Sequence, residues 1–151
     1  MSHETTEAAT RPATRTRPVV WVLRAVISLH LVVVFGQPVF AGLFLSGDYG
    51  ALAQHLDGAN LVTGIGYAQL IVGIVVWRRV RVLWPLTASA GLAAAETLQY
   101  YLGMHGPLWL HIPLGVAIVA GVVVQFVMVW SRPPVRREPL SHDDAHVGGA
   151  A

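Results

Sequence analysis

The chain is 151 residues long, 54% hydrophobic and only 12% charged, and it has no cysteine. So little charge argues against an ordinary soluble domain, which is about a quarter charged. The missing thiols exclude disulfides, thiolate metal sites and covalent c-type haem attachment. All ten basic residues are arginine, in three clusters: Arg11, Arg15, Arg17 and Arg24; Arg78, Arg79 and Arg81; Arg132, Arg136 and Arg137. Between them run two apolar blocks, 25–77 and 82–131, without a single basic residue. Membrane topology is the simple cause of that pattern, and a nucleic-acid partner is not expected.

Residues 1–17 are rich in Thr, Arg and Pro and read as a disordered cytoplasmic tail, as does 132–151. His3, His142 and His146 fall in these tails and read as solvated. A bilayer-spanning helix needs ~20 mostly apolar residues. Four such stretches follow in order, at about 18–46, 58–77, 82–102 and 108–130, joined by "GDYGALAQHLDG", "RRVR" and "GMHGP". The first is too long for a signal-peptide core and lacks a clear cleavage site, so it reads as an uncleaved anchor. Pro38 interrupts it directly after Gln37, which predicts a kink and a freed carbonyl. In the third, Thr87, Gly91 and Ala95 repeat every four residues, a ridge that lets membrane helices approach closely. Gly66, Gly73, Gly115, Ala117 and Gly121 offer the same in the second and fourth.

This is an all-α integral membrane four-helix bundle made of two helical hairpins. Every arginine cluster falls on one side, so both termini are expected in the cytoplasm. Trp21, Trp77, Trp84 and Trp130 mark that side; Trp109, Tyr100 and Tyr101 mark the other. The expected location is a cell membrane, of the bacterial inner-membrane kind.

The two hairpins repeat one layout. Gln37 and Gln99 lie near the outer ends of spans one and three; His55 and His111 follow, then Gln69 and Gln125, then Trp and Arg. Each His precedes its Gln by fourteen residues, close to four whole helical turns or ~21 Å. One face of the second span therefore reads His55, Ala59, Val62, Gly66, Gln69, Gly73. In the fourth it reads His111, Gly115, Ile118, Val122, Gln125, Val129. The two spans are parallel, which puts His55 and His111 at one depth. Bis-histidine haem ligation needs two imidazoles at one depth on helices facing across a bundle, and Gly66 and Gly115 are the small residues that would make room. The bland alternative is that both rings simply sit at the membrane interface, where an amphipathic side chain needs no ligand.

On these residues, together with "GQPVFAG" and "LQYYLG", the chain resembles one half of a haem A synthase over roughly 20–130. The resemblance implies b-type haem near the outer face, held by the histidines that open the second and fourth helices, here His55 and His111. Two departures limit it. There is room for only one four-helix half, and Leu52 stands where the family pattern has a glutamate; the oxidation chemistry tied to that glutamate is not carried over.

Three more polar groups lie within the spans. Glu96, in the third, is costly there unless paired, hydrated or neutral, and reads as a structural hydrogen bond or a proton relay. His30 shares a face with Gln37 and lacks a partner histidine at its depth, which predicts a polar contact to Gln69 or Gln125. His105, between Gly103 and Gly106, is a fallback ligand. No phosphate-binding loop, nucleophile elbow or zinc-protease motif is present. The leading expectation is haem b binding for electron transfer or haem handling, with no catalytic residue assigned. The alternatives are a cofactor-free subunit packing into a larger membrane complex or homo-oligomer, and a proton or small-solute transporter using Glu96 and His30.

Overall fold

The computed structural model describes residues 18–134. The tails expected at either end, with His3, His142 and His146, lie outside the described residues apart from 132–134. Four helices follow in order: α1 Pro18–Leu45, α2 Ala51–Val80, α3 Trp84–His105 and α4 Leu108–Ser131. Pro18 opens α1, where its missing N–H is no loss. After α1 the chain turns through Gly47 at φ 104°, left-handed backbone that suits only glycine. Asp48 then accepts the Gly50 amide at 3.1 Å and launches α2.

That turn corrects the second expected span. The segment 51–57 is helix rather than connection, because "ALAQHL" consists of residues that favour helix and the Asp48 turn has already reversed the chain. At 30 residues α2 is ~45 Å long and overruns a ~30 Å hydrocarbon core by several turns. His55 thus sits on a helix. Similarly α3 runs on to His105, so that residue ends a helix instead of lying in a tight loop.

Each helix packs on its chain neighbours, and α1 also packs on α4, which closes a ring. The diagonal pairs, α1 with α3 and α2 with α4, make no such contact. α2 and α4 therefore face one another across the bundle axis. One end of the bundle carries the two hairpin loops with His55, His105 and His111; the other carries the start of α1, the end of α4 and the α2–α3 turn with its arginines. These are called here the histidine end and the arginine end.

Helices α1, α2 and α4 are long and apolar enough to cross a membrane. α3 has the length, but Ser89, Glu96, Thr97 and Gln99 dilute its apolar character. The outward faces are apolar, with Val32, Val39, Val116 and Val124 all more than half exposed, whereas Arg24, His30, Gln69, Ser89, Glu96 and Gln125 are buried. Apolar outside and polar inside is the distribution for lipid rather than water. The protein is an integral membrane helical bundle.

Leu23, Ile27, Val76, Val80 and Val129 form an apolar plug toward the arginine end. Beside it the Arg24 guanidinium lies between the Trp21 and Trp130 rings, 4.7 Å from each centre, and its Nε donates to the Val129 carbonyl. A second cluster, Val34, Val62, Ile118 and Val122, fills the core from α1, α2 and α4. α3 meets its neighbours at their glycines. A Cβ on Gly73 would stand 3.2 Å from the Pro85 carbonyl oxygen, and one on Gly121 3.0 Å from Leu92. The buried ridge is Ser89, Ala93 and Glu96; of the expected ridge Thr87 and Gly91 are exposed, and Ala95 is half-buried against the second cluster. The stripes are one to two residues apart, and burying the Glu96 carboxyl turns the first one inward.

Candidate functional site

The polar interior has two layers. In the upper one, at the histidine end, His55 of α2 and His111 of α4 meet across the bundle axis, ring centres 6.3 Å apart and planes at 71°. His55 Nδ1 lies 3.2 Å from the Gln37 carbonyl oxygen and His111 Nδ1 lies 3.1 Å from that of Gln99. A carbonyl only accepts, so both Nδ1 atoms carry the proton and donate, and in the neutral rings both Nε2 atoms keep a lone pair. This repeats the hairpin layout in three dimensions: each imidazole hangs from the backbone of the glutamine in the preceding helix.

The glutamine side chains occupy the space beside the rings. A Cβ on Gly58 would overlap the Gln37 amide, and one on Gly115 would stand 2.9 Å from Gln99 Nε2. Gln99 Nε2 is 3.2 Å from His111 Nε2 and so donates to its lone pair. The Oε1 atoms of Gln37 and Gln99 are both buried without a hydrogen-bond partner. Gly103 lets α3 approach the ring itself, because a Cβ there would stand 2.9 Å from His111 Cε1.

The lower layer joins all four helices. His30 Nδ1 donates to Gln69 Oε1 at 3.0 Å, Gln69 Nε2 to Gln125 Oε1 at 2.8 Å, and Gln125 Nε2 to Ser89 Oγ at 3.0 Å. The other ring nitrogen of His30 stands 3.1 Å from Glu96 Oε1. That approach is within ion-pair range but misaligned for a hydrogen bond, so His30 Nε2 and both Glu96 oxygens still count among the buried atoms without a hydrogen-bond partner. Glu96 Oε2 rests against Gly66, where any Cβ would overlap it.

His55 and His111 thus come together as their spacing predicts, and His30 meets Gln69. Gly115 lies beside the upper layer, whereas Gly66 accommodates Glu96 in the lower one. His105 stays apart: its ring is exposed and stacks on Tyr101 at 5.2 Å. The sequence reading passed over Ser89 and Arg24. A serine among small residues carries no signal by itself, and Arg24 looked like one more topology charge.

Among the described residues no three His, Asp or Glu side chains form a metal-binding group. Two imidazoles alone leave a bare zinc ion short of its usual four ligands. No protein family, curated protein or solved structure matches the chain.

Proposed function

We propose that this integral membrane protein holds haem b between His55 and His111 and serves one-electron transfer. The separation of the two rings carries the reading. The ring centres of His55 and His111 stand 6.3 Å apart on diagonal helices, close enough that the two side chains could hold one metal between them once His111 Nε2 is released from Gln99. The carbonyls of Gln37 and Gln99 are the kind of outer partner that fixes a ligating imidazole's tautomer and raises the basicity of its other nitrogen.

The residues fit the group on one condition. The amides of Gln37 and Gln99 must swing aside to open a slot along the α1–α3 diagonal. Each leaves its buried Oε1 unpartnered, and for Gln99 the change breaks one hydrogen bond, worth about 1 kcal/mol net. Haem would supply the one-electron couple. The chain would supply the two ligands and the carbonyl anchors.

From the haem A synthase resemblance this reading keeps the histidine pair and leaves the oxidation chemistry, since Leu52 offers no carboxylate. The arginine end faces the cytoplasm by the positive-inside rule, which puts the haem toward the opposite face. Protein purified in mild detergent from haem-supplied cells should show a Soret band that is lost in His55→Ala and His111→Ala. A colourless preparation yielding no extractable haem refutes the proposal.

A further inference from the structure

We propose that the His30–Glu96 contact is a proton-binding site in the bundle interior, exchanging its proton with the histidine end along the inner stripe of α3. Three observations lead there. First, a proton must occupy the contact. His30 Nδ1 is committed to the Gln69 amide oxygen, so at 3.1 Å a bare Nε2 would present its lone pair to a carboxylate oxygen. With one such proton on the pair it is net neutral, either as imidazole and carboxylic acid or as imidazolium and carboxylate. That is the form a dry interior tolerates.

Second, the unpartnered buried atoms fall in the two polar layers. Every buried side-chain oxygen or nitrogen without a hydrogen-bond partner among the described residues belongs to His30, Glu96, Gln37 or Gln99. Such groups hold ordered water when there is room. Third, small and polar side chains connect the pair to the histidine end. The inner stripe of α3 runs Ser89, Ala93, Glu96, Gln99, Gly103 and ends at His111, flanked by Leu92 and the buried Leu102. The apolar cluster at this depth takes its fully buried members from the other three helices, with Leu92 and Ala95 of α3 packed on its edge. Toward the arginine end the way is closed, because Gln69 and Gln125 have both amide atoms bonded and the plug of Leu23, Ile27, Val76, Val80 and Val129 lies beyond.

The step is a proton transfer only. A proton leaves the pair for water held at Glu96 Oε2 and Gln99 Oε1, the pair passes from net zero to one negative charge, and rebinding reverses it. Other charged groups lie away from this contact. Arg24, on α1, is clamped between Trp21 and Trp130. α2 and α4 bring His55, Asp57 and His111 at the histidine end and Arg78 and Arg79 at the arginine end, and α3 adds His105 at its terminus.

The test uses infrared difference spectroscopy on the full chain in lipid nanodiscs. Glu96 is identified as the carboxyl signal lost in Glu96→Gln and shifted in Glu96→Asp, so one variant suffices if the other fails to fold. The signal should change between mildly acidic and mildly alkaline pH and respond to D2O faster than the amides of α3. Replacing Gln37 and Gln99 together by Leu should slow that response about tenfold or more, since it removes the oxygens that hold the water. A Glu96 signal that ignores pH, or exchanges no faster than the surrounding helix, overturns the assignment. The readout needs no haem, so it stands or falls separately from the function proposed above.

Discussion

Gln69→Leu is the sharpest test of the lower polar layer. Leucine keeps roughly the volume of glutamine but deletes both amide bonds, leaving His30 Nδ1 and Gln125 Oε1 buried and unpaired. In a water-soluble core two such orphans would cost about 2–6 kcal/mol. Interhelical bonds in a membrane are worth less, about 0.6 on average and up to about 1.7 kcal/mol, because the unfolded chain in the bilayer also finds partners. Two bonds lost therefore give about 2 kcal/mol, above the average for two such bonds because Gln69 is 0% exposed. Gln125→Leu also breaks two bonds, to Gln69 and to Ser89, and should cost about the same. The double variant breaks three bonds rather than four, since the Gln69–Gln125 bond is shared. It should cost about 3 rather than about 4 kcal/mol, a coupling of about 1 kcal/mol that exceeds the ~0.3–0.5 kcal/mol scatter of independent sites. Unfolding in mixed micelles, followed by tryptophan fluorescence, measures all three. Strict additivity, or a single variant as stable as the parent, would refute the reasoning.

The glycines of α2 give a paired test. Gly66→Ala forces a Cβ onto Glu96 Oε2 and should destabilise by about 1–3 kcal/mol. Gly64→Ala meets nothing within 4 Å, so it should be neutral or stabilise by up to ~1 kcal/mol through the helix propensity of alanine; thermal unfolding in detergent distinguishes the two. Arg24→Ala removes a buried guanidinium with its contacts to two tryptophan rings and one hydrogen bond. It should lower stability by about 2 kcal/mol and speed amide exchange at the arginine end more than elsewhere. Gly103→Ala pushes a Cβ to 2.9 Å from His111 Cε1; it should weaken haem uptake in a spectroscopic titration while leaving the lower layer intact, and unchanged uptake would mean that the ring position is immaterial.

The long-range arrangement was legible because a membrane bundle reverses the usual pattern. Polar residues are rare enough in the spans that their spacing reports the inner face. The fourteen-residue interval placed His55 with Gln69 and His111 with Gln125, and the inner residues Val62, Gly66, Gln69, Gly73 and Ile118, Val122, Gln125, Val129 are all buried. His30 could be matched to Gln69 because no histidine shares its depth.

What stayed hidden was local. The helical start of α2 depends on the Asp48 turn rather than on hydrophobicity, so His55 fell outside the expected span. On α3 two stripes of small residues compete, and only the buried carboxyl of Glu96 shows which one faces inward. Ser89 inherits its place from that rotation. The burial of Arg24 requires two tryptophans from opposite ends of the chain, Trp21 and Trp130, a juxtaposition that spacing along one helix does not reveal.

The most direct measurement is haem content and spectrum across one small set of proteins: the parent, His55→Ala, His111→Ala and the double variant, purified side by side in mild detergent. The account predicts one haem per chain with a six-coordinate, low-spin spectrum for the parent. Each single variant should lose that spectrum, and the double variant should bind none. A parent free of haem, or a low-spin spectrum that survives loss of both histidines, would contradict it.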